Sequence, residues 1–326
     1  MTKRLATLFR TRKPNAIGRP WLACWSLFLA AFASTVMAQE EPPGSSPTLN
    51  ARPPASGSDV VRASLWIVEG KVEAGEIFTL ALVLEIAPSW HVYWRNPGDS
   101  GFAPTLSLTP MGGFEPVGDL AFPRPSILGN GEIVYGYEGK VALFQRVRAP
   151  KELPENALIG AKAKWMACKS ICLTGEAVLN LQATPVAAKM SRPTRDIVDA
   201  ARFQLPTPLS AQSVWSVESI RDQNGAVTEL SIRGKTASKL ESARAITFIP
   251  DVTPGVTHGD GGPIAATLEA IASGSAATIR IPITVDAANA LGKPLRAAGL
   301  ILIGDGTNAS DHCYSVEVPL DAGASK

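Results

Sequence analysis

Cys168-Lys169-Ser170-Ile171-Cys172 sets two thiols in one short segment, with three residues between them. Such a pair can carry out thiol–disulfide exchange. One thiolate attacks a partner's disulfide, and the second resolves the mixed disulfide before the partner escapes. The same pair can close as a structural disulfide, hold a soft metal, or be two unrelated buried residues. As a staple it is weak, because closing so short a loop contributes about 2 kcal/mol against roughly 3 for a fifteen-residue loop. Lys164 and Lys169 add positive charge that favours a thiolate. Thiolates also suit copper, and a binuclear copper site on a β-sandwich would place a His four residues after the second Cys. That position is Glu176, and no His lies between His91 and His258. A closed zinc site wants four N or S ligands, so no metal or cofactor is assigned. Spacing alone leaves the alternatives open.

Other strings carry less. Gly98-Asp99-Ser100-Gly101 matches the nucleophile string of chymotrypsin-like proteases, but the only preceding His is His91, nine residues away. A triad needs a His and an Asp converging on the Ser, and Asn96–Asp99 reads instead as a turn. Around it, alternation sets Trp90, Val92 and Trp94 on one face and His91, Tyr93 and Arg95 on the other. The first face reads as core, the second as a surface open to a partner. Tyr135-Gly136-Tyr137-Glu138-Gly139 reads as a strand end and turn. Cys313 is most simply a buried small hydrophobe.

The elements that must position these residues are mostly strands. The chain has 326 residues, 45% hydrophobic and 18% charged, which excludes a mostly disordered chain and a polytopic membrane protein. Its only long apolar stretch is Trp21–Ala38, preceded by six basic residues and followed by small residues around Ala38, a secretory signal expected to be cleaved there. The leader holds six of 31 basic residues and none of the 29 acidic ones. The remainder, 25 against 29, has a net charge of −4, with no basic block to suggest nucleic acid. Export also puts Cys168, Cys172 and Cys313 where thiols tend to oxidise. Residues 39–57 are rich in Pro, Gly and Ser and read as a linker. Strands follow at Val60–Val68, Phe78–Ile86, Trp90–Trp94, Val141–Val147, Ala157–Trp165 and Ala177–Ala183. A helix is expected near 194–204, before Pro206. About seven more strand candidates follow, from Val214 to Val318. The expectation is all-β: two immunoglobulin-like sandwiches, 58–188 and 210–322, joined by a helical connector at 189–209.

Three strings in order, Pro88-Ser89-Trp90-His91-Val92-Tyr93-Trp94-Arg95-Asn96-Pro97-Gly98-Asp99-Ser100-Gly101, Val134-Tyr135-Gly136-Tyr137-Glu138-Gly139 and Trp165-Met166-Ala167-Cys168-Lys169-Ser170-Ile171-Cys172, resemble one family. They are similar to the N-terminal periplasmic domain of the DsbD/ScsB thiol:disulfide reductases, most of all the ScsB-like branch, over about residues 60–185. The resemblance implies an immunoglobulin-like fold and a redox role for Cys168 and Cys172, with Cys172 forming the mixed disulfide. It implies a component of a protein-disulfide reductase in the periplasm. Its electron donor would be a separate membrane-embedded protein and its acceptor a periplasmic thioredoxin-like oxidoreductase, with no small-molecule substrate. A shielding loop in the family corresponds to about Pro125–Gly131, where Ile127 and Leu128 are the nearest substitutes for an aromatic cap. His91, Tyr93, Tyr135 and Tyr137 are the remaining candidates for shielding or partner contact. The alternative is a periplasmic copper-binding or copper-tolerance protein using the same cysteines as ligands.

Overall fold

Apolar and β-branched residues between turn residues drive the chain into strands. The structure is a computed structural model that describes residues 53–110, 112–129, 131–183, 190–209, 215–235, 245–259, 261–265, 269–270, 276–290, 294–304 and 312–320. The expected signal segment 1–38 and most of the linker lie outside the described residues. Ser56 and Ser58 bond through their side chains to the backbone of Thr174 and Glu176.

Ten strands come first. They are β1 (Val61–Glu69), β2 (Ile77–Ile86), β3 (His91–Gly98), β4 (Thr105–Leu108), β5 (Glu115–Ala121), β6 (Ser126–Leu128), β7 (Val134–Glu138), β8 (Lys140–Arg148), β9 (Leu158–Cys168) and β10 (Cys172–Gln182). One sheet runs β1-β2-β8-β5, the other β10-β9-β3-β7-β6, with β4 also paired to β9. Between the sheets, Leu82, Leu84 and Leu143 pack on Trp90, Val92, Trp94, Tyr135, Trp165 and Ala167. Fully burying one such Leu contributes about 1.5–3 kcal/mol.

β10 begins five residues before the expected Ala177. Polar Thr174 and Glu176 alternate with half-buried Leu173 and buried Gly175, so the apolar signal is thin there. The polar strand β5 offers still less of it. β2 is the opposite case, buried along most of its length. Its outer side is covered by α1 (Arg192–Phe203), whose Val198 and Ala201 pack on Ala81, Val83, Ala142 and Phe144. The helix starts two residues before the expected 194. Ser191 caps it by accepting from Thr194 N–H, and Pro193 in the first turn lacks only an N–H that would be unpaired there anyway.

The strands after α1 are β11 (Thr207–Pro208), β12 (Trp215–Arg221), β13 (Val227–Lys235), β14 (Ala245–Pro250), β15 (Val256–Thr257), β16 (Ile264–Ala265), β17 (Glu269–Ala270), β18 (Ala276–Pro282), β19 (Thr284–Val285), β20 (Arg296–Gly304) and β21 (His312–Pro319). They form sheets β11-β21-β20-β14-β16 and β12-β13-β18-β17, plus the pair β15-β19. Leu230, Ile232, Phe248, Ile281 and Ile301 centre their own core. Ile249 and Leu300, however, are buried in the core of the first ten strands. The chain is thus nearly all β, and residues 52–326 form one compact unit. Among the described residues no helix is long and apolar enough to cross a membrane.

Candidate functional site

The cysteines end the β9–β10 hairpin. Cys168 is the last residue of β9, Cys172 the first of β10, and they stand directly opposite each other, with Cα atoms 4.2 Å apart and the sulfurs bonded. That separation fits a pair that exchanges no backbone hydrogen bonds, where side chains lie closest. Alternation along β9 sends Ala163, Trp165 and Ala167 into the core and leaves Cys168 and Met166 on the sheet's outer face.

The two sulfurs have different surroundings. β9 lies inside the sheet, between β10 and β3, and Cys168 is 3% exposed. β10 is an edge strand, and Cys172 is exposed, next to an Ile171 that is 52% exposed. Cys168 is covered by Tyr93, Val134, Leu128 and Met166. The Tyr93 hydroxyl donates to Cys168 Sγ at 3.0 Å and lies 3.9 Å from Cys172 Sγ. Burial raises the phenol's pKa against a lowering hydrogen bond from Ser100, so the group stays protonated and able to donate at neutral pH.

The Gly98–Gly101 string is the turn that seats Tyr93. A Cβ on Gly101 would come within 2.3 Å of the Tyr93 ring, so only glycine allows the backbone to lie on that ring. Asp99 holds the turn by accepting from Ile133 N–H at 2.8 Å, while its own N–H donates to Ile133 O at 2.9 Å.

His91 lies in a row across four strands: Glu138, His91, Cys168 and Cys172. Its ring meets Tyr93 edge-on at 5.2 Å, and its Nε2 is buried without a hydrogen-bond partner. Desolvation lowers its pKa, opposed by the charge of Glu138.

Leu128, His91 and Tyr93 therefore gather at the pair, whereas Ile127, Tyr135 and Tyr137 do not. Ile127 pairs with Tyr135 and Leu128 with Val134, so the adjacent residues point to opposite faces, and Ile127 is 48% exposed. Tyr135 and Tyr137 are core residues. Tyr135 packs edge-on against Trp94 and donates to Gly261 O at 3.4 Å, and Tyr137 donates to Pro123 O at 2.7 Å. Cys313 packs against the same core, with its thiol pKa pushed up to about 12 by burial. The sequence reads Asn96–Asp99 as a turn, but β3 continues through Gly98, and nothing in the sequence shows that Ser100 and Gly101 meet Tyr93.

Residues 67–183 match the family described as "Thiol:disulfide interchange protein DsbD, N-terminal". No curated protein matches the chain. Among solved structures, the N-terminal periplasmic domain of ScsB from Proteus mirabilis is similar at 18% identity and a TM-score of 0.52, over 80% of this chain and 94% of that one. BcpA, the major pilin subunit of Bacillus cereus, aligns over 81% of this chain and 67% of that one at 7% identity. Its TM-score of 0.19 is too low to carry an argument. The stretch from the end of β1 through β10, with both bonded cysteines, thus matches the DsbD N-terminal family model, and the chain shares its fold with the ScsB domain.

Proposed function

We propose that the chain is a periplasmic thiol:disulfide interchange protein, exported by a signal peptide cleaved after Ala38. It would take electrons from a separate membrane-embedded donor and pass them to thioredoxin-like oxidoreductases. In this reading the DsbD-type domain spans 58–188, and a second β-sandwich at 210–322 packs on it beyond the helical connector. The observation that carries the proposal is the asymmetry of the pair, one sulfur exposed at a sheet edge and the other buried under a phenol hydroxyl.

A donor thiolate attacks exposed Cys172 Sγ, the Cys168–Cys172 bond breaks, and Cys168 leaves as a thiolate hydrogen-bonded by Tyr93. The donor's second thiolate then attacks its own sulfur in the mixed disulfide. The donor becomes oxidised, and Cys168 and Cys172 take up protons as a dithiol. Toward the acceptor the steps reverse. Cys172 attacks the acceptor's disulfide, and Cys168 loses its proton and attacks Cys172, which restores the disulfide and releases the acceptor's dithiol.

The test is trapping. Cys168→Ser should accumulate a partner-linked species on a non-reducing gel with a thioredoxin-like partner, and Cys172→Ser should not. The opposite pattern would swap the roles. If neither variant traps a partner and the reduced protein transfers no electrons, the pair is a staple and the reading falls. Among the described residues no group of three His, Cys, Asp or Glu side chains converges, so the copper alternative rests on the two cysteines alone.

A further inference from the structure

The strand that carries Tyr93 is irregular just beyond it. β3 pairs with β7 at Tyr93–Gly136 and next at Gly98–Val134, so β3 spends five residues where β7 spends two. Bulges of this kind re-aim side chains beside active sites, and this one is held from the strands after α1. Asn96 is buried, and its Nδ2 donates to Pro250 O at 2.7 Å. Arg95 lies over the Trp94 ring at 5.0 Å and pairs with Asp251 at 2.8 Å. The other end of the Asn96 amide faces the site, where Oδ1 accepts from Gly98 N–H at 3.0 Å. Gly98 takes φ +90°, and a Cβ there would strike Ile133 O, the carbonyl that Asp99 N–H also uses. Three residues on, Gly101 lies on the Tyr93 ring, whose hydroxyl reaches Cys168 Sγ.

We infer that Asn96 is a positioning residue through which β14 sets the aim of Tyr93 at Cys168. One amide side chain joins Pro250 O to the turn that seats the phenol; its bond to Pro250 O is buried, where water does not readily replace it, and its bond from Gly98 N–H is partly buried. The strands after α1 thereby gain a role in exchange without touching either sulfur. This rests on the thiol-exchange reading above.

The experiment is a double-mutant cycle with glutathione disulfide as the probe. Reduced protein attacks the probe, which leaves a glutathionyl adduct on one cysteine and releases one glutathione. The other cysteine loses its proton and attacks that adduct, re-forming the intramolecular disulfide and releasing the second glutathione. Acid quenching and mass measurement give the lifetime of the adduct. Asn96→Asp keeps an oxygen for Gly98 N–H but loses the donor to Pro250 O. It should lengthen that lifetime about tenfold, because small displacements of a positioned group cost rate steeply. In a Tyr93→Phe background the same substitution should add nothing, since the group it aims is already gone. Equal lengthening in both backgrounds, or none in either, overturns the inference and leaves the exchange reading standing. An unmutated protein that forms no adduct and re-forms no disulfide sinks the exchange reading as well. Should Asn96→Asp fail to fold, Asn96→Ser takes its place, because its hydroxyl can still accept from Gly98 N–H two residues on but is too short to donate to Pro250 O. Loss of its effect in the Tyr93→Phe background supports the inference, and an undiminished effect overturns it.

Discussion

The sheet that carries the cysteines has two faces, built by the same strands and put to different uses. Its inner face sets Trp90, Val92, Trp94, Tyr135, Tyr137, Trp165 and Ala167 against the opposing sheet. Its outer face sets Tyr93, Val134, Leu128 and Met166 around Cys168. Both faces bury phenols, yet the hydroxyls end differently. Tyr137 satisfies a backbone carbonyl, and Tyr93 satisfies a sulfur that reaction would turn into a thiolate. A period of two residues is enough to keep the packing and the chemistry apart on one strand. The inner face can be filled for density alone, and the outer cluster can keep one sulfur covered and its partner open.

Substitutions on the two faces should therefore separate stability from exchange. Trp94→Ala removes a fully buried indole from the inner face and should cost about 3–5 kcal/mol in a denaturant titration. Whatever fraction stays folded should still exchange. Cys172→Ser should lower stability by about 2 kcal/mol at most, the scale of a short loop, while abolishing exchange with a thioredoxin-like partner. Exchange that survived this substitution would break the comparison. Tyr93→Phe should cost about 1 kcal/mol for one buried hydrogen bond, and stopped-flow exchange should be slower in proportion to the weaker hold on the Cys168 thiolate. A loss of stability with an unchanged rate would make Tyr93 packing alone.

The smallest effect expected is a pH dependence from His91. Its folded pKa lies below the ordinary imidazole value because burial disfavours the cation, with Glu138 opposing. As pH falls through and below the ordinary imidazole range, the unfolded chain binds the proton first, so this contribution is full at neutral pH and fades with acid. Melting His91→Gln and the parent protein side by side should show less loss in the variant between neutral and mildly acidic pH. Parallel curves would remove His91 from the acid response.

Much of this could be read from residue order, and the limits were physical. The alternation of Trp90 to Arg95 separates the two faces of β3 without coordinates, because side chains in any strand alternate. The same rule says that Tyr135 and Tyr137 share a face, but only the pairing of Val92 with Tyr137 and Tyr93 with Gly136 assigns them to the core. Ile127 and Leu128 were equally eligible to cover the pair until the register with β7 turned Leu128 toward it. β5 and the start of β10 were illegible because polar edge strands bury too little apolar surface to leave a pattern.

The residue types and spacing in the sequence determined that two thiols are close enough to join and that strands dominate the chain. Those properties depend on local geometry and on the chemistry of single side chains. Which sulfur is buried, which tyrosine reaches it, and that Pro250 meets Asn96 across 154 residues of chain were decided by tertiary structure. Strand register and edge position come from contacts distant in sequence, and composition and periodicity do not encode which strand lies beside which.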